Sequence, residues 1–408
     1  MFSLHLYRTL GHLLTPILKG LVPPSRKGIL PPAELWLHAA SVGEANVAAA
    51  IIKALRLRRP ETRILLTLQT SAGLARARKL LETEGVSLAL APFDLPHFVK
   101  EAFQRVRPRV LALVETELWP NLILEARRRG VSLLLVNGRL SEKAFRRYRL
   151  HKGLWQKLLK SFGALGVIGP QEAERFRALG APSERLYLLG NAKYDLLQQR
   201  KEKLSLKEAR KKLPSSKQIL TFGSLRKGEE KEVLKAVVKL LKKFSGRICL
   251  VLAPRHLKRI KEYERNLKKL KIPYSLWSKL PQREAPVILL DAIGPLFEIY
   301  ALSFAAFVGG SLVPRGGQNP LEPALLGRPL LFGPFMDNFP YEAKALKNCG
   351  KIQVRDGEEI FEKFSFWLEN PEEAQEIGQK ASLVAREFLG ASTRYAALLA
   401  EALTLPPS

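Results

Sequence analysis

Short, continuously apolar segments alternate with longer amphipathic segments along most of the chain. In the first half the apolar segments are ELWLHAA, RILLTLQT, VSLALAPF, RVLALVET, VSLLLVNG, ALGVIG and LYLLGN. A run that is apolar throughout, rather than at every second position, is typical of parallel strands buried on both faces. The intervening segments, such as SAGLARARKLLETEG, have helical spacing and end at a glycine. The pattern therefore predicts an α/β fold with a doubly wound parallel sheet.

This alternation is interrupted by the polar and highly charged segment at 196–217, after which a second series of apolar runs begins. A chain of 408 residues is also too long for one ordinary core. We therefore predict two Rossmann-like domains whose parallel sheets face each other across a cleft. The predicted parts are a membrane-associating N-terminal segment at 1–30, a first domain at 31–200, a linker at 201–215, and a second domain with the C-terminal helices at 216–408.

The N-terminal stretch MFSLHLYRTLGHLLTPILKGLVPP has leucines at helical spacing, interrupted by Arg8, Pro16 and Lys19. It lacks the roughly 20 unbroken apolar residues of a transmembrane helix. No small-residue cleavage site of a signal peptide ends it. The amphipathic pattern with flanking cations fits a helix lying in a membrane interface, and a helix packed on the first domain is the alternative.

The charge balance is strongly basic, with 67 Lys and Arg against 38 Asp and Glu, a net charge of +29. Such an excess predicts attraction to a polyanion: nucleic acid, an anionic membrane or a phosphorylated substrate. The chain has no RNP-like motif and no recognition-helix pattern, so nucleic acid is not the expected partner. Its histidines, cysteines and aspartates show no metal-ligand spacing, and no metal is expected.

The first candidate site is SVGE, directly after the first predicted strand. Gly43 permits a tight turn or the close approach of a ligand. Ser41 and Glu44 have the S-x-x-E spacing of a helix capping box. Alternatively, a carboxylate at a strand end is a general base within reach of a substrate hydroxyl. In that case the helix N-terminus would hold it ionised at neutral pH. Spacing alone leaves both interpretations open.

Two further motifs follow strands of the first domain. VETELWPN places Glu115 and Glu117 at a strand end, two residues apart, with Pro120 starting the next helix. Two interpretations are open: both carboxylates are ordinary charges of a helix N-terminus, or at least one of them faces the predicted cleft. GNAKYD places Lys193 at the end of the first domain, although a lone lysine is usually solvated.

In the second domain APRH ends a strand, so Arg255 is a candidate phosphate clamp, although such an arginine is often solvent-facing. The stretch at 307–334 contains paired glycines at 309–310 and 316–317. We expect a loop with free backbone N–H groups, followed by a helix that Gln318 or Asn319 opens. Such a unit binds phosphate at the helix N-terminus. Glu322, in the first turn, is placed to accept hydrogen bonds from ribose hydroxyls.

Taken together, the motifs WLHAASVGE, VETELWPN, NGRLS, GNAKYD, APRH and GGSLVPRGGQNPLEPA resemble the 3-deoxy-D-manno-octulosonic acid (Kdo) transferases of lipopolysaccharide synthesis. They occur in the order of that family from about residue 30 to 345. The resemblance implies a GT-B glycosyltransferase that transfers Kdo from CMP-Kdo to a lipid A precursor, with inversion and without a metal or other cofactor. It also implies an acceptor-binding first domain, a CMP-sugar-binding second domain, and a location on the anionic cytoplasmic face of the inner membrane.

The same resemblance assigns the site residues. Glu44 falls on the general base, and Glu115 and Lys193 fall on the groups that stabilise the transition state. Contacts to CMP fall on Pro254, Arg255, Gly294, Pro295, Leu296, Asn319, Pro320, Leu321 and Glu322. Pro295 stands where other members often have an acidic residue, so its contact is expected through the backbone only.

Two other classes of function stay open. Another GT-B sugar-nucleotide transferase or an epimerase would share the second-domain loop but not HAASVGE or ETELWPN. A non-catalytic polyanion-binding protein is suggested by the charge alone. Basic stretches at 127–129 and 143–153 suit a phosphorylated acceptor in an anionic leaflet, and part of this charge is expected to be solvated helix surface.

Overall fold

The computed structural model describes residues 7, 9, 11, 20–27, 30–281 and 285–404. The chain divides into two compact units, the first comprising Met1–Leu196 with Leu389–Ser408, the second Leu197–Phe388. The membrane-associating segment predicted at 1–30 lies mostly outside the described residues. Within the part of the chain that is described, no helix combines the length and apolarity needed to span a membrane.

The first unit is built on a parallel sheet. Its strands are β1 (Leu35–Ala39), β2 (Ile64–Leu68), β3 (Ser87–Leu90), β4 (Val110–Val114), β5 (Ser132–Gly138), β6 (Ala164–Val167) and β7 (Leu186–Leu188). The sheet is seven-stranded, in the order β3-β2-β1-β4-β5-β6-β7. Every residue of β1, β2 and β4 is buried, as the continuous apolar runs predict.

Helices connect these strands. They are α1 (Val42–Arg56), α2 (Ser71–Leu80), α3 (Pro96–Val106), α4 (Pro120–Arg128), α5 (Glu142–Arg149), α6 (Lys152–Leu159) and α7 (Pro170–Ala178). Hydroxyl side chains cap the N-termini of α1, α2 and α5; the capping residues are Ser41, Thr70 and Ser141. Proline starts three others, since its fixed φ suits the first helical turn.

Apolar residues fill both faces of this sheet. On one face the strands pack against α1 and α2, where Val47, Ile51 and Leu55 are fully buried. On the other face Trp36 packs on Phe103 of α3, with ring centroids 5.1 Å apart. Each large side chain buried in this way contributes about 1.5–3 kcal/mol to folding. The two layers fix the ends of the central strands β1 and β4.

The second unit is also built on a parallel sheet. Its strands are β8 (Gln218–Leu225), β9 (Ile248–Pro254), β10 (Tyr274–Leu276), β11 (Val287–Leu289), β12 (Ala305–Val308) and β13 (Leu330–Phe332). The six strands lie in the order β10-β11-β9-β8-β12-β13. Two parallel-sheet α/β units confirm the predicted fold class.

The helices of the second unit start with one that crosses the boundary between the units at Leu196 and Leu197. They are α8 (Asp195–Glu202), α9 (Lys207–Lys212), α10 (Glu230–Lys243), α11 (Ile260–Lys269), α12 (Leu296–Leu302), α13 (Leu321–Leu325), α14 (Pro340–Leu346), α15 (Gly357–Glu369) and α16 (Pro371–Glu387). The segment at 201–215 is thus helical in part rather than an extended linker. Its charged residues occupy helix surfaces, while Ala209 is buried in the core of the second unit.

The last helix, α17 (Ala391–Thr404), belongs to the first unit. The prediction that all C-terminal helices belong to the second domain is therefore wrong for α17. Its apolar stripe, which includes Leu399 and Leu403, is buried in the core formed with α1. The Asp195 carboxylate fastens the start of the helix by accepting hydrogen bonds from the Gly390 and Ser392 N–H groups, both at 2.6 Å.

We expect Leu399→Ala to destabilise the first unit by about 2–5 kcal/mol, because it opens a cavity in a fully buried layer. Urea unfolding followed by tryptophan fluorescence measures the change. The exposed Glu401 of the same helix provides the control, since Glu401→Ala should shift stability by less than about 0.5 kcal/mol. Equal unfolding midpoints for the two variants would contradict the packing of α17 in this core.

Candidate active site

Each sheet has one point at which the strand order reverses direction. In the first unit the chain proceeds outward from β1 to β3 and returns to β4 on the other side of β1, with His38 paired to Leu113. In the second unit β12 returns to lie beside β8, with Val308 paired to Gly223. Ligands of doubly wound sheets bind at the carboxyl ends of strands beside such a switch point.

Glu44 follows β1 and occupies the third position of α1, three residues after the N-cap residue Ser41. Its backbone N–H donates to Ser41 Oγ at 3.3 Å. In return its carboxylate accepts hydrogen bonds from the Ala40 N–H at 2.6 Å and from the Ser41 hydroxyl at 3.1 Å. The Ser41 cap is confirmed, but the Glu44 carboxylate accepts from the N–H of Ala40 rather than from that of the N-cap residue, as a full capping box requires. Because each carboxylate oxygen has two acceptor positions, these bonds orient Glu44 without using its whole capacity.

The electrostatic environment of Glu44 differs from the expectation. Its pKa is raised to about 7. Burial is the largest cause, the charges of Glu117 and Glu115 add to the rise, and the bonds from Ala40 and Ser41 oppose it. The prediction that the helix N-terminus holds Glu44 fully ionised at neutral pH is therefore wrong. Desolvation and two like charges outweigh the capping bonds. A carboxyl group with such a pKa is suited to accept and release a proton near neutral pH.

Glu115 and Lys193 form an ion pair, with Lys193 Nζ 2.6 Å from Glu115 Oε1. Glu115 ends β4 in a left-handed conformation, with φ of 58°. The loop that carries Lys193 is fixed beside it, because the Ala192 N–H donates to the buried Asn137 Oδ1 at 2.9 Å. Lys193 is thus a partner of the predicted carboxylate rather than a lone solvated lysine.

Glu117 is a third carboxylate of this group, to which the family resemblance assigns no role. It accepts a hydrogen bond from Trp119 Nε1 at 2.8 Å, and its Oε2 lies 3.9 Å from His38 Nε2. Burial lowers the pKa of His38 to about 3, so this imidazole is neutral and does not balance the carboxylate. Burial, and then the charge of Glu115, raise the pKa of Glu117. Its position two residues after Glu115 was the only signal in the sequence.

The predicted CMP contacts of the second unit occupy three adjoining turns. Pro254 ends β9, and the N–H of the exposed Arg255 donates to the Leu225 carbonyl at 2.8 Å. Gly294 has a positive φ of 118°, and its carbonyl accepts a hydrogen bond from Arg200 Nη2 at 2.7 Å. The next two residues of this turn, Pro295 and Leu296, start α12.

The third turn is NPLE, residues 319–322. Asn319 Oδ1 accepts a hydrogen bond from the Leu321 N–H at 3.1 Å, and Pro320 occupies the N-cap position of α13. Burial raises the pKa of Glu322, which the positive charges of Arg200 and Arg255 oppose. Arg255 belongs to the first turn, and Arg200 is bonded to Gly294 of the second. Because the charges of both arginines act on Glu322, the third turn lies close to the other two. The structure therefore brings the predicted CMP contacts together.

The glycine-rich loop after β12 differs from the prediction. The carboxylate of Glu229, which is fully buried, accepts hydrogen bonds from the N–H groups of Gly310 at 2.7 Å, Ser311 at 3.0 Å and Leu312 at 3.1 Å. It also accepts one from the Arg226 N–H at 2.8 Å. The expectation that this loop offers free N–H groups to a phosphate is wrong for these residues. Glu229 lies in the charged run RKGEEKE, which is typical of solvated helix surface, so no local pattern signals its burial.

Among the described residues, no group of three or more His, Cys, Asp or Glu side chains is placed to hold a metal ion.

The chain is similar to one family over most of its length. The family model for 3-deoxy-D-manno-octulosonic-acid transferase (kdotransferase) matches residues 18–196. The 3-deoxy-D-manno-octulosonic acid transferase of Haemophilus influenzae is 32% identical over 369 residues, which are 90% of this chain and 86% of that protein. The protein of the same name from Chlamydia pneumoniae is 30% identical over 354 residues, which are 86% and 80% of the two chains.

A solved structure extends the comparison to the fold. The UDP-GlcNAc 2-epimerase from Neisseria meningitidis, bound to UDP-GlcNAc, matches with a TM-score of 0.62 over 91% of this chain and 99% of that one. The sequence identity is 14%, so this likeness concerns the fold alone. The predicted GT-B fold class is confirmed.

We expect Glu229→Gln to lower the urea midpoint of the full-length chain, because the amide presents N–H groups to N–H donors and leaves buried groups unpaired. Losing such charge-assisted bonds costs about 3 kcal/mol or more. Hydrogen exchange at Gly310, Ser311 and Leu312 should accelerate. Glu373→Gln, at an exposed position of α16, is the control with the same change of charge. Unchanged exchange in the loop would contradict the role assigned to Glu229.

Proposed function

Because the chain belongs to the 3-deoxy-D-manno-octulosonic acid (Kdo) transferase family and is therefore a glycosyltransferase, we propose that it transfers Kdo from CMP-Kdo to a lipid A precursor. Transfer proceeds with inversion at the anomeric carbon and without a bound metal. The observation that carries this proposal is Glu44, a partly buried carboxyl group with a pKa of about 7 beside the Glu115–Lys193 ion pair.

Glu44 is the proposed general base. Its carboxylate takes the proton of an acceptor hydroxyl as the hydroxyl oxygen forms a bond to the anomeric carbon of Kdo. The bond between that carbon and the phosphate oxygen breaks, and CMP leaves with the electron pair. Direct displacement of this kind needs a single base on the side opposite the leaving group, unlike the carboxylate pair of a retaining enzyme. The hydrogen bonds from Ala40 and Ser41 support this role because they hold the base in one orientation.

Charges around the reacting carbon and the leaving group stabilise the transition state. The anomeric carbon gains positive charge, which the carboxylate of Glu115 favours. The departing phosphate gains negative charge, which a fixed cation stabilises in a site of low dielectric. Lys193 and Arg255 are the proposed cations. The Glu229 carboxylate already engages the N–H groups of Gly310, Ser311 and Leu312, so those groups take no part.

The three adjoining turns of the second unit are the proposed CMP site. Glu322 accepts hydrogen bonds from the ribose hydroxyls, and Arg255 pairs with the phosphate. Gly294 and Pro295 contribute backbone contacts. The remaining proposed contacts are Pro254, Leu296, Asn319, Pro320 and Leu321. The shared electrostatic environment of Arg255 and Glu322 supports the placement of both on one nucleotide.

Because the proposed acceptor is a lipid A precursor, the proposed location of the protein is the anionic cytoplasmic face of the inner membrane. The net charge of +29 supports this proposal. So does helix α5, which has three arginines in its last turn and buries none of its residues. Each basic residue close to an anionic leaflet contributes about 1 kcal/mol to its attraction. A nucleic-acid partner is not proposed.

A second candidate is sugar-nucleotide epimerisation, suggested by the fold match to a UDP-GlcNAc 2-epimerase. An epimerase needs no acceptor and no base for an acceptor hydroxyl. The motifs HAASVGE and VETELWPN, with Glu44 and Glu115 at one switch point, therefore favour transfer. Formation of a Kdo-bearing lipid product distinguishes the two activities directly.

We expect Glu44→Gln to lower kcat at least about 100-fold, because it removes the base, while CMP binding stays intact. The assay incubates purified full-length protein with CMP-Kdo and a lipid A precursor in detergent, with and without EDTA, and measures CMP release and the lipid product. The exposed Glu61, changed to Gln, is the control and should keep wild-type activity.

Three results would contradict parts of this proposal. Wild-type protein that forms no lipid product would overturn the function. Full activity of Glu44→Gln would overturn the base. Loss of activity in EDTA that added Mg²⁺ restores would overturn metal independence.

We expect kcat/KM to rise with pH and to level off above a pKa of about 7, because only ionised Glu44 accepts a proton and protonation below that pH removes it. Glu117→Gln removes a negative charge that raises the pKa of Glu44, so the rising limb should move to lower pH. Glu61→Gln should leave the profile in place. A limb at the same pH in wild type and Glu117→Gln would show that Glu117 does not set this pKa.

A further inference from the structure

A cavity of about 500 Å³ in the second unit is lined mainly by cations. We name it the basic cavity and define it by Arg226, Lys227, His256, Lys258 and Arg315. Its volume lies within the range of small-molecule sites, roughly 300–1,000 Å³. None of these five residues is among the proposed CMP contacts.

The positive charge of the basic cavity is largely unbalanced. Its lining also includes Glu262, but that carboxylate pairs with Arg259 at 2.7 Å, and Arg259 pairs with Glu230 as well. Within the described residues, Arg226, Lys227, Lys258 and Arg315 form no ion pair. A cavity that concentrates unpaired cations is suited to an anionic ligand.

Arg226 is the most firmly held of these cations. Its Nη1 donates to His256 Nε2 at 2.9 Å. Desolvation, and then the charges of Arg226 and Arg255, lower the pKa of His256, so the imidazole is a neutral acceptor. The side chain of Arg226 packs against Gly310. A Cβ atom added to this glycine would be only 3.0 Å from Arg226 Cγ. A fixed guanidinium loses little freedom when it binds a ligand.

One edge of this guanidinium has no partner. Arg226 Nε is buried, and no described residue accepts its hydrogen bond. Nε and Nη2 together form the edge of a guanidinium that pairs side-on with a carboxylate, through two parallel hydrogen bonds. Because a buried donor without an acceptor is costly, a ligand oxygen that reaches this edge would gain a strong hydrogen bond.

The basic cavity also lies at the switch point of the second sheet. Arg226 follows β8, and Arg315 lies in the loop that follows β12, the strand paired with β8. Arg255 and His256 are neighbours in the chain. The charge of Arg255 acts on Glu322 of the proposed CMP site, while His256 lines the basic cavity. The cavity therefore adjoins the CMP site and is separate from it.

We propose that the basic cavity binds the carboxylate of the sugar acid in the donor, with Arg226 as its side-on partner and Arg315 as a second cation. This inference rests on the proposed function. CMP-Kdo has two acidic groups, the phosphate and the carboxylate of Kdo, and the CMP contacts account for the phosphate only. Recognition of the carboxylate selects a sugar acid over a neutral sugar carried by the same nucleotide.

The test compares the dissociation constants of CMP and CMP-Kdo, measured by calorimetry without acceptor, on the full-length chain. Arg226→Gln should weaken CMP-Kdo binding by about tenfold to a hundredfold, the loss typical of a charge-assisted bidentate pair. CMP binding should change less than about twofold, which also shows that the variant is folded. Arg315→Gln, in an exposed loop, should weaken CMP-Kdo binding to a smaller degree. Arg247→Gln, an exposed arginine outside the cavity, is the control and should alter neither constant.

Other outcomes overturn the proposal. Equal weakening of CMP and CMP-Kdo would assign the cavity to the nucleotide phosphate. Unchanged donor binding with a raised KM for the acceptor would assign it to an acceptor phosphate. No change in any constant would remove it from the site. Wild-type protein that binds CMP-Kdo but transfers nothing would overturn the proposed function while leaving this comparison valid.

Discussion

Strands buried on both faces are the constraint on which the remaining structure depends. A polar side chain within β4 or β9 would lose its water without a partner, at a cost of several kcal/mol. The polar chemistry is therefore displaced to the first residues after each strand. Glu115 and Arg255 each follow a strand directly, and Glu44 stands at the start of the next helix. Because the packed strands fix their own ends, these side chains have rigid supports, as a catalytic site requires.

The buried carboxylates show how one kind of side chain serves different purposes. Glu229 accepts hydrogen bonds from four backbone N–H groups, which use its acceptor capacity and make it a structural anion inside a loop. Glu44 accepts only one N–H and one hydroxyl, and it shares its surroundings with Glu115 and Glu117. Burial, with the nearby charges of Glu117 and Glu115, raises the pKa of Glu44 to about 7 against the effect of these two bonds. The two carboxylates therefore differ in the number of groups that donate hydrogen bonds to them.

Features that are local in sequence were predictable. The apolar runs predict the parallel strands, and the S-x-x-E spacing predicts the Ser41 cap at the start of α1. The failures concern contacts between residues far apart in the chain. Glu229 reaches the loop after β12, and α17 returns to the core of the first unit. No periodicity or spacing encodes such contacts. The raised pKa of Glu44 has the same origin, because burial among distant parts of the chain is its largest cause and the charges of Glu117 and Glu115 come from another strand end.

Backbone conformation links the strand ends to the site. Glu115, Asn137 and Ser224 have positive φ values of 58°, 55° and 56° at the ends of β4, β5 and β8. Asparagine tolerates this conformation well, but glutamate and serine hold it at a cost on the order of 1 kcal/mol or more, which tertiary contacts must offset. For Glu115 one such contact is the ion pair with Lys193. Lys193 thus has two effects: it supplies a positive charge, and it helps to hold Glu115 in a conformation that the strand end alone would not favour. A neutral side chain at position 193 would therefore disturb the placement of Glu115 as well as the charge of the site.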